Sequence, residues 1–297
     1  MADKPAVHPD AALAEALKAI ARDTLSEARA VLTAQDKPDA VAVHDYRKAM
    51  KRWRSLLRLL QPLLGNGCCR RLRLEARDSA RELSGARDAQ AAIEALEDLV
   101  EADIALSPRT IASMRGRLDE IRLGAEAATL TQAVRTRLIV GLENASSVVD
   151  AWSLEHLTFA ELARELAKTY RRLREDAPED WRASEPEVLH ELRSRVVVHR
   201  YQMELILPLW PKFARVWVSE AQRLRDRLGA FQDLSVLLRF TVPHAPLAPW
   251  RSRLAPLILA RRAAHAKAAQ RIAMRLLAER PKAFRRRLEA LWEQGRR

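Results

Sequence analysis

Residues 44–60 read HDYRKAMKRWRSLLRLL, and this stretch predicts the fold. At 100° per residue, one side of a helix collects the apolar residues Tyr46, Met50, Trp53, Leu57 and Leu60. The opposite side collects His44, Arg47, Lys51, Arg54 and Arg58, with Lys48 beside them. This is the pattern of an amphipathic helix with one face in a core.

The basic side of this helix contains no interleaved carboxylate. Solvated helix faces usually mix charges, because like charges at i, i+4 cost about 0.2–0.5 kcal/mol per pair. The alternative interpretation is that this basic side of the helix is simply exposed to solvent. We expect an anionic ligand to neutralise this side.

The rest of the chain also predicts helices, because it has only 8 glycines and abundant Ala, Leu, Arg and Glu. Breakers and apolar periodicity place them near residues 9–35, 38–63, 68–84, 86–105, 108–128 and 130–152, then 156–176, 185–207, 211–228, 230–241, 247–279 and 281–294. No strand pattern competes, so the predicted class is all-α.

Residues 44–88 align with residues 190–233, since both begin His-x-x-Arg and end in related segments, LSGARD and LGAFQD. A duplication explains this most simply. We expect two pseudo-symmetric helical-bundle repeats, residues 1–152 and 153–297, packed around a central basic groove.

The basic side of the second copy comprises His190, Arg193 and Arg200, with Tyr201 beside them. Ser194 and Val197 replace the two lysines of the first copy, which predicts a weaker grip. Glu204 follows Arg200 by one turn, where it can orient the guanidinium. His199 falls on the apolar face and is interpreted as a core histidine.

More arginines precede the two Leu-Gly segments. Arg73, Arg77 and Arg81 share a face, whereas Arg70, Arg71 and Arg225 are interpreted as solvated.

A net charge of +13 and a pI of about 10.5 predict a polyanionic partner: nucleic acid, an anionic membrane or polyphosphate. The 43 arginines against nine lysines favour phosphate, because a guanidinium fork pairs with its oxygens bidentately. A GC-rich genome explains the same ratio, so the positions of the arginines must decide.

The competing function classes lack their signatures. Aromatic residues make up 5% of the chain, which leaves few platforms for stacking nucleic-acid bases. A phosphohydrolase or a metal-dependent transferase would need clustered carboxylates, histidines at metal-ligand spacing or a glycine-rich phosphate loop, and the sequence has none of these patterns. Asp88 and Asp233 are interpreted as helix caps or arginine partners, and no metal or cofactor is expected.

The cellular location is predicted from Cys68 and Cys69. Adjacent cysteines in a helix do not form an ordinary disulfide, which fits a reducing compartment. No leader pattern and no apolar run of about 20 residues is present. Peripheral membrane attachment needs an exposed apolar face, and here that face is assigned to the core. We expect a cytoplasmic protein without membrane insertion.

Three motifs together resemble the CHAD family, the conserved-histidine α-helical domain. They are His-x-x-Arg-Lys-x-x-Lys-Arg-x-Arg at residues 44–54, the second His-x-x-Arg ending in RYQME at 200–204, and LGAFQD at 228–233. Segments 170–174 and 280–292 resemble that family too. The resemblance implies two four-helix-bundle subdomains around a basic cavity that binds inorganic polyphosphate, often near polyphosphate granules, without catalysis.

We therefore expect polyphosphate to thread the groove, with no specific nucleic-acid partner; the oligomeric state is left open. The expected ligands of polyphosphate are His44, Arg47, Lys48, Lys51, Arg54, Arg58, Arg73, Arg77, Arg81, Arg87, Arg171, Arg174, His190, Arg193, Arg200, Tyr201, Arg223 and Arg227.

Overall fold

The computed structural model describes residues 5–34, 36–83, 87–102, 106–126 and 130–296. Within these ranges the regular structure is helical and contains no strand, which confirms the all-α prediction. The α-helices are α1 (Leu13–Thr33), α2 (Asp39–Leu64), α3 (Asn66–Glu82), α4 (Arg87–Glu101), α5 (Pro108–Glu126), α6 (Gln132–Asp150), α7 (Phe159–Glu175), α8 (Pro186–Leu205), α9 (Pro211–Arg239), α10 (Arg251–Leu276) and α11 (Pro281–Gly295).

The predicted break at residue 229 is wrong, because α9 runs through Gly229 without interruption. A Cβ on Gly229 would lie 3.4 Å from Nε of Arg193. The missing side chain therefore makes room for a guanidinium from α8 instead of ending a helix. The start of α10 also differs from the prediction, since residues 248–250 form a short 3₁₀ turn before it.

The apolar side of α2 lies in the larger of two hydrophobic cores, as its spacing predicts. Tyr46, Met50, Trp53, Leu57 and Leu60 are each at most 2% exposed. Helices from both halves of the chain contribute to this core, including α1, α6, α7, α8 and α11. Burial of this face fixes the opposite, basic side of α2 toward the remaining helices.

The second core joins α4 and α5 to the C-terminal part of α9 and to α10. Leu96 and Met114 contact this core from the first half of the chain, and Leu237 and Ile258 from the second half. Because α9 is continuous, it links both cores. The repeat boundary at residues 152 and 153 and the pseudo-two-fold axis stay predictions.

Helices α2 and α8 contact each other directly at Ser55. The Ser55 hydroxyl donates to the Val198 carbonyl at 2.9 Å, and the Gln202 amide donates to the Ser55 carbonyl at 3.5 Å. A small side chain at this position lets the two helices approach closely. The contact brings basic residues of both helices together.

His199 lies in the core, as its position on the apolar face predicts. It is 0% exposed, and Nε1 of Trp217 donates to its Nε2 at 2.8 Å. Burial, together with the nearby Arg287 charge, lowers the pKa of His199 to about 3. The side chain is therefore neutral at physiological pH.

Candidate anion-binding site

A row of basic side chains follows α2 on the side away from the core. We call it the central basic cluster, and it comprises Arg47, Lys51, Arg54, Arg58, Arg73, Arg87, Arg193 and Arg225. These residues come from α2, α3, α4, α8 and α9, so the cluster is assembled from distant parts of the chain.

Lys51 lies among the arginines at one end of the cluster. Burial and four neighbouring arginines, on α8, α4, α9 and α2, lower the pKa of Lys51 to about 7. Among the residues that the structure describes, no side chain pairs with its ammonium. Since an ordinary lysine titrates near about 10.4, the folded chain strongly disfavours this positive charge when no ligand is bound.

Arg54 and Arg58 continue the row toward the other end of α2. Burial, with Arg73 and Arg54 as the nearest charges, lowers the pKa of Arg58 to about 10. Burial likewise lowers the pKa of Arg54, and its Nε is buried without a hydrogen-bond partner in the described part of the chain. The charges of Arg172 and Arg195 also act on Arg58, although Arg195 itself pairs with Asp176 and Glu191.

Arg193 reaches the cluster from α8 across the gap left by Gly229. Its guanidinium donates a long hydrogen bond of 3.4 Å to Gln232, and its buried Nε has no partner among the described residues. Burial and the Arg225 charge lower the pKa of Arg193. This guanidinium thus retains donors for a ligand.

An acidic wall borders the Arg193 end of the cluster. Glu94, Asp98, Asp226 and Asp233 line a cleft of about 270 Å³ together with two arginines, Arg193 and Arg225. Burial raises the pKa of Asp233 to about 6 against the opposing effect of Arg193.

Asp233 lies inside α9, so it is not a helix cap. It does lie beside arginines, which agrees with the other interpretation, that of an arginine partner. In the described ranges, no three His, Cys, Asp or Glu side chains are grouped to hold a metal ion. The wall thus places four carboxylates beside Arg193 and Arg225.

Arg47 makes a structural contact in addition to facing the cluster. Its guanidinium donates to the carbonyls of Ala80 and Leu83 at 2.8 and 3.0 Å. These acceptors lie at the C-terminal end of α3, where helix carbonyls lack partners within the helix. Arg47 therefore connects α2 to α3 while its charge remains near Arg87.

Four of the arginines expected in the groove contact other groups. Arg174 donates to the Leu277 carbonyl at 3.0 Å, and Arg171 pairs with Glu175 at 3.8 Å. Arg223 pairs with Glu220 at 2.5 Å, and Arg227 lies 3.5 Å from Nδ1 of His265. The structure does not bring these four into the central basic cluster.

Arg225 corrects the sequence interpretation, because its charge acts on Lys51 and Arg193 while its guanidinium pairs with Asp226 at 2.7 Å, so it is not a freely solvated side chain. Arg223 and Arg227 are two residues away on α9, which turns them about 160° around the helix. Arg172 and Arg195 are also absent from the sequence-based set. Where several arginines lie close together in the sequence, the one that faces the cluster is known only once the neighbouring helix has been placed.

Lys48, Arg200 and Tyr201 lie in a different place, a pocket beside the α2–α8 contact. There Arg200 pairs with Glu204 at 2.5 Å, and its guanidinium lies 4.1 Å from the Tyr201 ring centroid. Glu204 therefore orients Arg200, as the one-turn spacing predicts. The predicted ligand set is divided between two sites.

The two motif histidines, His44 and His190, are exposed near the starts of α2 and α8. On α3, Arg77 pairs with Asp78 at 2.9 Å, while its charge still affects Arg54. Arg81 is exposed close to the end of the same helix.

No helix within the described ranges is both long and apolar enough to cross a membrane.

Comparison with known proteins gives a family and a fold. A family model described as the CHAD domain matches residues 11–242. PptA from Streptomyces chartreusis superposes with a TM-score of 0.64 at 17% identity, covering 90% of this chain and 99% of that one. The crystal structure of the CHAD domain from the plant Ricinus communis gives a TM-score of 0.57 at 21% identity, covering 98% and 95%. At these identities the likeness shows the fold alone. No curated protein is similar enough to count as a match.

Proposed function

Because the chain belongs to the CHAD domain family, we propose that it binds inorganic polyphosphate in the central basic cluster and catalyses no reaction on it. The family resemblance implies this ligand, and the cluster supplies the matching chemistry. Guanidinium forks and a lysine ammonium both pair with phosphate oxygens through charge-assisted hydrogen bonds.

The observation that carries the proposal is the set of Lys51, Arg54 and Arg58. All three are partly buried on one side of α2, their pKa values are lowered, and none pairs with a carboxylate among the described residues. Buried charges normally have partners, because an uncompensated charge in a poorly solvated place is costly. A bound polyanion would provide that partner.

The form of the cluster favours a thin, repeating anion. Lys51 to Arg58 spans seven residues of α2, about 10 Å along the helix axis. Charges from α3, α4, α8 and α9 flank this row on its sides. Tyr46 and Trp53, the aromatic residues of the motif, are buried in the core, where they cannot stack on nucleic-acid bases.

The non-catalytic part of the proposal is supported by the side chains around the cluster. Its acidic wall lacks a metal-ligand grouping within the described ranges. We place the protein in the cytoplasm, which the adjacent Cys68 and Cys69 favour, and on or near polyphosphate granules, which the family resemblance implies. No cofactor and no specific nucleic-acid partner are part of the proposal.

The test is a calorimetric titration of the full-length chain with long-chain polyphosphate at physiological salt. Duplex DNA and pyrophosphate are added as competitors in parallel, and released phosphate is measured in the same samples. We expect tight polyphosphate binding, weak competition by DNA and no released phosphate. Absence of polyphosphate binding, or equal competition by DNA, would overturn the assignment of ligand, and released phosphate would overturn the non-catalytic assignment.

A further inference from the structure

A second cavity, of about 630 Å³, lies on the other flank of the α2–α8 contact. We call it the side pocket. Residues 5–8, α1, α2, α8 and the start of α9 form its walls. It shares no lining residue with the central basic cluster. Its volume is in the range typical of small-molecule sites, about 300–1,000 Å³.

The charge in the side pocket is positive. Arg52 pairs with Glu27, and Arg200 pairs with Glu204, so these two arginines are compensated. Lys48 has no ion pair within the described residues, and Arg215 donates only to the Pro211 carbonyl of its own helix, at 3.2 Å. Two cations are thus available for a small anion.

The N-terminal end of α9 adds to this positive potential. Pro211, the first residue of this 29-residue helix, lines the pocket, and the N-cap residue Trp210 provides no side-chain hydrogen bond. Proline has no N–H to donate, so this end of α9 contributes through the helix dipole, which favours an anion at a helix N-terminus. Arg215 lies one turn into the same helix, so its charge and the helix end act at one place.

The rest of the lining is largely apolar, unlike the central basic cluster. Ile20, Leu56, Leu205, Leu207 and Pro208 form this part of the wall. Apolar surface next to an anion-binding end suits a ligand that has both kinds of group, because burial of its apolar part adds to binding. A bare inorganic phosphate chain has no such part.

The wall from the N-terminal segment is held in place. Val7 is 0% exposed, and its N–H donates to the Leu205 carbonyl at 2.8 Å. This bond fixes Pro5, Ala6 and His8 over the pocket. The cavity is therefore preformed, which lowers the ordering cost of binding.

We infer that the side pocket is a second binding site, for a small organic phosphate with an apolar or aromatic body of nucleotide size. The phosphate group lies against Lys48, Arg215 and the start of α9, and the body lies against the apolar wall. This inference does not rest on polyphosphate binding by the central basic cluster.

The experiment is a calorimetric titration of the full-length chain, without polyphosphate, using AMP, phenyl phosphate and pyrophosphate. We expect AMP or phenyl phosphate to bind the side pocket at least tenfold more tightly than pyrophosphate does, because only the two esters carry an apolar or aromatic group for the apolar wall. The two organic probes distinguish a nucleotide from another phosphate ester. Equal or tighter binding of pyrophosphate that is lost when Lys48 and Arg215 are replaced by Gln, or no binding of either ester, would overturn the inference.

Matched variants locate the site. Lys48→Gln with Arg215→Gln removes two exposed cations and should weaken ester binding at least tenfold. Lys51→Gln with Arg54→Gln removes the same charge from the central basic cluster and should leave ester binding within twofold. If the second pair causes the larger loss, the ester binds in the cluster and the side pocket is not its site. Thermal melts of both variants check that they fold.

Discussion

The central basic cluster and the side pocket both take basic residues from α2 and α8. They differ in whether the buried cations are paired with carboxylates. In the pocket, Arg52 and Arg200 each pair with a glutamate. In the cluster, Lys51, Arg54 and Arg58 have no acidic partner among the described residues, although they are partly buried. Removing one partner of such an ion pair destabilises the folded chain, whereas an unpaired buried cation weakens it until an anion binds.

The largest expected effect comes from removing the unpaired cations together. Replacing Lys51, Arg54 and Arg58 by Gln should weaken polyphosphate binding at least about a hundredfold, since each charged hydrogen bond contributes about 1.5–3 kcal/mol. Arg47 is kept, because its bonds to Ala80 and Leu83 hold α3. Calorimetric titration measures the loss.

The control for this variant replaces three exposed arginines, Arg109, Arg164 and Arg253, by Gln. It removes the same net charge away from the cluster. We expect affinity to change less than about threefold, apart from the general effect of net charge. If both triple variants lose affinity for polyphosphate equally, binding depends on the net charge of the chain and not on the central basic cluster.

A smaller effect separates Arg225 from its helix neighbours. Arg225→Gln should weaken polyphosphate binding about tenfold, the value of one charged hydrogen bond. Arg223→Gln and Arg227→Gln should change it less than about twofold, because they lie about 160° around α9 from Arg225, whose charge is the one that acts on Lys51 and Arg193. The opposite ranking would place the ligand on the other side of α9.

The dependence on pH should be modest and should come from Lys51. A bound polyanion raises its pKa above the ligand-free value of about 7, so binding is coupled to proton uptake. Affinity should rise severalfold as pH falls from about 8.5 to about 6.5, and level off below pH 7 as free Lys51 becomes protonated. Its charged neighbours are Arg47, Arg87, Arg193 and Arg225, which stay protonated throughout.

Two variants assign this pH dependence. Lys51→Gln should flatten the profile between pH 7 and 8.5, and Asp233→Asn should change it only near pH 6, where that carboxyl titrates. His44→Gln with His190→Gln provides the comparison, because both motif histidines belong to the expected ligand set. If only the histidine pair flattens the profile, Lys51 does not control it.

The smallest effect concerns stability without ligand, and its sign differs between the two regions. Lys51→Gln should raise the melting temperature by about 2 °C, because it removes a disfavoured charge. Arg200→Gln should lower it by a similar amount, because Glu204 loses its partner. Both melts are run at pH 7.5 in buffer free of phosphate.

The dependence of stability on pH measures the effect of the unpaired Lys51 in a second way. The folded pKa of Lys51 lies below its unfolded value, so between pH 7 and about 10.5 the unfolded chain binds more protons. The stability of the wild-type chain should therefore rise with pH across this window. Lys51→Gln should reduce the rise, and an unchanged slope would show that Lys51 is not disfavoured in the folded chain.

Helical periodicity was strong enough to predict α2 in detail. The spacing of Tyr46, Met50, Trp53, Leu57 and Leu60 placed five residues in the core correctly, and the same rule placed His199 there. Gly229 shows the limit of local signals. A glycine between apolar helical segments reads as a stop, but here the reason for it is the side chain of Arg193, which arrives from another helix.

By itself, the sequence determined the all-α class, the CHAD resemblance and the basic side of α2, because each depends on residue types and on spacings along the chain, which can be seen without knowing how the helices pack. Only the tertiary structure decided which cations meet. Lys48 and Lys51 are three residues apart, yet they belong to different sites because α8 contacts α2 at Ser55, beside both. Pairing with Glu27 or Glu204, or the absence of a partner, likewise depends on how helices distant in sequence pack against one another.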